Sequence, residues 1–275
     1  MKKNEVFYKE SDLKPTFDQL YVEYHKPRYL GLDPLICVRR FESDRDREVA
    51  GLLSASLAYG RVEIVIRSIE KILAVMRMKP AEFTLTTTFR KKCRLFEDFK
   101  HRFNDGVDIA ILLESVKQLI RRYGSLENCF RECLDRSQGR MKEALAAFSS
   151  HVITNGERIC PGKKSFGYLV SNPQNGSACK RMVLFLRWMI REEDGIDLGV
   201  WKNISPSYLI MPVDTHVAKI ASLSGLSARR CADWKMAEEI TAVLRTFDPE
   251  DPIKYDFSLC RAGMMQFRER RKGFE

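Results

Sequence analysis

Residues 172–191 read NPQNGSACKRMVLFLRWMIR, and the fold turns on the pattern in this stretch. Met182, Phe185, Leu186, Met189 and Ile190 recur every three or four positions, so they share one apolar face and predict a helix over 177–192. Lys180, Arg187 and Arg191 fall together on another side of that helix, as a cationic stripe away from the core face. The turn before it, Asn172-Pro173-Gln174-Asn175-Gly176, delivers the chain straight into a helix start, where unpaired backbone amides can bind a phosphate oxygen. An ordinary capped helix with a solvated charged face has the same pattern, and both readings stay open on these residues alone.

Moving outward, helical spacing recurs over about 14–26, 44–59, 62–77, 107–123, 125–136, 140–154, 215–224, 232–247 and 250–264, and no run alternates as a strand does. The expectation is an all-α fold. Ser43 and Asp214 are expected N-caps, and Gly60, Gly124 and Gly225 expected stops. Residues 80–104 follow no clear period, with 84–89 read as irregular or briefly extended. Two long connections, 155–175 and 193–213, flank the 177–192 helix; connections this long in a compact domain carry function or conceal a short element.

The second connection runs into Pro212-Val213-Asp214-Thr215-His216-Val217. Aspartate is a favoured N-cap, and that role alone accounts for Asp214. The same position keeps a carboxylate ionised at the positive end of a helix dipole. Facing a cleft, such a group stabilises developing positive charge or activates a nucleophile.

Lys and Arg outnumber Asp and Glu by 47 to 37, a formal net charge of +10 that favours a polyanionic partner. No segment has the apolar length of a signal peptide or membrane span, so a cytoplasmic protein with no membrane partner is expected. The cysteines, Cys37, Cys93, Cys129, Cys133, Cys160, Cys179, Cys231 and Cys260, are scattered. Cys129 and Cys133 can share a helix face, but two ligands make no site; free thiols and no bound metal are expected.

The string Pro212 to Val217 resembles the aspartate motif of helix-hairpin-helix DNA glycosylases, the superfamily that contains endonuclease III and the adenine and 8-oxoguanine glycosylases. Residues 172–180 stand where that superfamily has a hairpin gripping DNA phosphates. Residues 46–61, DREVAGLLSASLAYGR, resemble its early helix and lesion-approaching loop, and 232–263 resemble the helices after the aspartate. The strings GSACKRMVLFLRWM and DGIDLGVW are also similar to a bacterial family known only as a domain of unknown function.

The resemblance implies one two-lobed helical domain over 1–275, with lobes near 43–170 and 171–265, a cleft between them and residues 1–42 packing across both. It implies a base turned out of the duplex into a pocket and a cleaved glycosidic bond, with Asp214 stabilising the oxocarbenium-like sugar or activating the attacking group. Bifunctional relatives place a nucleophilic lysine two residues after the last hairpin glycine; that slot is Ala178 here, and Lys180 takes the role only in a shifted register. DNA contacts are implied at Asn175, Gly176, Ser177, Arg181, Arg187 and Arg61, and pocket positions at Ser56, Tyr59, His216 and Trp188. The cysteine cluster of many endonuclease III relatives is missing, since only Cys231 and Cys260 follow Asp214, so no iron–sulfur cluster or other cofactor is expected.

The expected function is therefore DNA repair: a glycosylase, with or without lyase activity, acting on double-stranded DNA at a damaged or mispaired base. The alternative is a catalytically silent helix-hairpin-helix nucleic-acid binder. An adaptor for anionic membranes or proteins would use the same charge but leaves the turn, helix and aspartate unexplained.

Overall fold

The computed structural model describes residues 10–272, with side chains from 13 to 264. Helix follows helix in the order α1 (Glu10–Tyr24), α2 (Leu35–Val38), α3 (Asp44–Ser56), α4 (Val62–Val75), α5 (Pro80–Thr86) and α6 (Phe89–Leu95). After the two-residue strands β1 (Lys100–His101) and β2 (Asn104–Asp105) come α7 (Gly106–Tyr123), α8 (Leu126–Arg136) and α9 (Met141–Ile159). The chain ends with α10 (Lys180–Ile190), α11 (Thr215–Ser224), α12 (Trp234–Phe247) and α13 (Asp256–Lys272). The described chain is mostly helical, and β1 pairs antiparallel with β2, His101 opposite Asn104.

Several boundaries differ from those expected, each for a local reason. The 80–104 stretch is two short helices and the β1–β2 hairpin: Pro80 starts α5 at its first position, and the Thr88 hydroxyl caps α6 by accepting from the Lys91 amide. Residues 84–86 are thus helical rather than extended. Helix α9 runs on to Ile159 and takes the start of the expected 155–175 loop, whose remainder holds 3-10 turns at Lys164–Tyr168 and Pro173–Asn175. Helix α10 begins at Lys180 rather than 177 because Gly176 (φ 79°) and Cys179 (φ 49°) are left-handed and delay entry into the helix. Ser43 stands at the N-cap of α3 in extended backbone, but its side chain makes no capping bond.

One connected cluster of buried apolar side chains runs from Leu13 to Leu259. Helix α10 lies so close on α3 that a Cβ at Gly51 would come within 2.8 Å of Met189 Cε. Around that contact Trp201 meets Phe185 edge-on at 5.2 Å and stacks on Phe130 of α8 at 5.7 Å. The Trp201 indole donates to Glu48 at 2.7 Å, and the same buried carboxylate accepts the Leu126 and Glu127 amides, so α3 caps the start of α8. Helix α1 packs on α13 and its approach: Phe17 lies 5.7 Å from the Tyr255 ring, and Tyr255 donates to Asp18 at 2.6 Å. Of the 1–42 segment expected to pack across the molecule, residues 1–9 lie outside the described residues. Among the described residues, no helix is long and apolar enough to cross a membrane.

Candidate active site

Two helix starts meet. Asp214 is the N-cap of α11, its Oδ1 accepting the His216 and Val217 amides, each at 2.8 Å. Lys180, the first residue of α10, places Nζ 2.6 Å from Asp214 Oδ2. Burial works against the Lys180 ammonium, but the Asp214 carboxylate outweighs it and raises the lysine pKa. Burial also works against the Asp214 anion, and the Lys180 charge with the helix amides more than offsets this, lowering its pKa. At neutral pH the pair is an ammonium against a carboxylate, with Oδ2 as the oxygen not tied to the helix.

The pair borders a cavity of about 120 Å³, the scale of an engineered void that takes one benzene ring. Its wall also carries Asp33, Arg187, Asp256, Phe257, Cys260 and Arg261. The charged groups are paired: Arg187 with Asp256, and Arg261 with Asp33 at 2.5 Å. Both guanidinium groups lie over the Phe257 ring, at 5.8 and 4.7 Å from its centre. Among the described residues, Arg187 Nη2 and Arg261 Nε are buried without a hydrogen-bond partner. Burial pushes the Cys260 thiol up to about 11, so it is neutral at physiological pH.

The exposed cationic stripe expected on α10 is a correction. Arg187 is only 2% exposed and Arg191 4%; both are held by Asp197, and Arg191 also by Asp251 at 2.8 Å. The loop 193–213 and the start of α13 cover that side of the helix with carboxylates, so Arg187, expected at a DNA contact, is buried in ion pairs with Asp197 and Asp256. Trp188, expected at a pocket, is fully buried and does not line this cavity.

The other candidates divide. Asn175, Gly176 and Ser177 are exposed in the turn before α10; the N-cap Cys179 makes no side-chain capping bond, and its own amide donates to the Ser177 hydroxyl at 3.1 Å. Arg61 is exposed at the start of α4. Arg181 is partly buried, donating to the Ser56 carbonyl at 2.7 Å with its guanidinium 5.0 Å from the Tyr59 ring centre. Ser56 is buried, and Tyr59 bonds to the β1–β2 hairpin through the His101 carbonyl and Asn104. The loop after α3 does reach the cavity, but through Ala58 and Gly60, joined by Val62 at the start of α4. His216 sits half-buried beside Asp214. Sequence reasoning missed Asp33, Asp256, Phe257 and Arg261, which come from two distant segments and follow no local motif.

A family model described as "Protein of unknown function (DUF2400)" matches residues 33–265. No curated protein and no solved structure matches the chain.

Proposed function

The chain belongs to the DUF2400 family, and from that starting point we propose that it is a DNA N-glycosylase acting on a damaged or mispaired base at the Lys180–Asp214 pair. One observation carries the reading: an ammonium and a carboxylate from two helix starts lie 2.6 Å apart beside a ring-sized cavity. When a glycosidic bond breaks, its electron pair leaves with the base and positive charge builds on the sugar. The Asp214 carboxylate, kept anionic, stabilises that charge through Oδ2. The Lys180 ammonium supplies the proton that the departing base takes up; the amine so formed then either adds at C1′ itself or takes the proton from a water molecule that adds there. The exposed turn at Asn175, Gly176 and Ser177, with Arg61 and the +10 net charge, suits a phosphate backbone.

The test is base release from a panel of damaged and mispaired duplexes, run with borohydride trapping. Wild type is expected to release at least one base, and Asp214→Asn to lower release by about 100-fold or more while duplex affinity stays near wild type. Lys180→Gln is expected to abolish trapping if the lysine is the nucleophile and to spare residual release if water is. Salt-sensitive duplex binding with no release from any substrate would leave a silent binder and end the enzymatic reading.

A further inference from the structure

Cys129 and Cys133 stand one turn apart on α8, at 0% and 4% exposure, and α9 packs along that face. It brings His151 against them, so that the two Sγ atoms and one imidazole nitrogen all lie within 4.8 Å of one another. We propose that these three side chains bind a Zn²⁺ ion, with solvent as the fourth ligand on the half-buried His151 side. Zinc takes Cys sulfur at about 2.3 Å and His nitrogen at about 2.0–2.1 Å in tetrahedral geometry, which sets ligand atoms roughly 3.5–3.8 Å apart. In the cluster these atoms lie within 4.8 Å of one another, so binding requires them to close by about 1 Å. Two thiolates and an imidazole are soft to intermediate donors that suit zinc rather than magnesium or calcium.

The competing fate of the thiols, a disulfide between Cys129 and Cys133, is disfavoured by the helix. Residues four apart on a helix hold their Cβ atoms about 5–6 Å apart, whereas a disulfide needs about 3.5–4.5 Å. Zinc binding replaces two S–H bonds with two S–Zn bonds and sends two protons to solvent, with no change of oxidation state. The ion would join α8 to α9 near the turn before α10: Ser150, next to His151, accepts from Asn172 Nδ2 at 3.0 Å, as does the Ala146 carbonyl at 3.2 Å. This site is independent of the Lys180–Asp214 chemistry.

The full-length protein, stripped with chelator, is titrated with Co²⁺ and then with Zn²⁺. A single equivalent of cobalt is expected to give a thiolate-to-cobalt charge-transfer band that zinc displaces, and zinc is expected to raise the melting temperature. His151→Gln, at a half-buried position and checked for folding by circular dichroism, is expected to weaken cobalt binding by more than about 100-fold, beyond the range of an outer-shell change. Cys133→Ser should remove the band, and Cys231→Ser, at an exposed thiol outside the cluster, should keep it. No band in wild type, or a band that survives both His151→Gln and Cys133→Ser, overturns the proposal.

Discussion

At Asp214 three donors converge on one carboxylate, two backbone amides on Oδ1 and the Lys180 ammonium on Oδ2. Helix capping and a site for positive charge are thus the same geometry, and the side chain does both. The consequence for pH follows from the directions of the two shifts. The Asp214 pKa is lowered, so its contribution to stability is present above the unfolded value near 3.9 and lost as pH falls through the lower folded value. The Lys180 pKa is raised, so its contribution is present below the unfolded value near 10.4 and lost as pH rises through the higher folded value. The pair is therefore intact from about pH 4 to about pH 10. Urea unfolding at a series of pH values should show Asp214→Asn losing less stability than wild type below about pH 4; parallel acid limbs would remove the ion pair from the account.

Helix α10 shows how an element can carry a correct periodicity and a misleading surface. Its apolar face packs on α3, as the spacing of Met182, Phe185, Leu186 and Met189 predicts. Its opposite side, basic in sequence, is covered as well, because Asp197, Asp251 and Asp256 fold over Arg187 and Arg191. Such a network contributes less than its contact list implies, since each charge has lost its water, but breaking it strands a buried cation. Asp197→Ala, which leaves both arginines short of a partner, is expected to cost about 3–5 kcal/mol in urea denaturation. A cost below about 1 kcal/mol would mean that water reaches these guanidinium groups.

Across the whole molecule, early and late segments of the described chain pack together, and Asp33 and Arg261 from them stand in the cavity wall. Asp33, before α2, pairs with Arg261 of α13, and Phe17 of α1 packs among Phe247 and Tyr255. Phe17 is 2% exposed, so Phe17→Ala is expected to cost about 3–5 kcal/mol, read as a lower urea midpoint. A change below about 1 kcal/mol would show that α1 contributes little to the core. Much of the helix plan was legible along the chain, because apolar spacing, an aspartate before α11 and glycines after α7 and α11 act over a few residues. The Asp214 position was legible for the same reason. The burial of Arg187 and Arg191 was not, because a basic stripe looks alike in water and under a layer of carboxylates. Their partners Asp251 and Asp256 lie 60 and 69 residues on, where no helical period connects them. Nor could spacing supply His151 as a third ligand beside Cys129 and Cys133, or Asp33 and Arg261 in the cavity wall. Local patterns determine which residues share a face; only packing decides what that face meets, and the chemistry of both sites depends on that meeting.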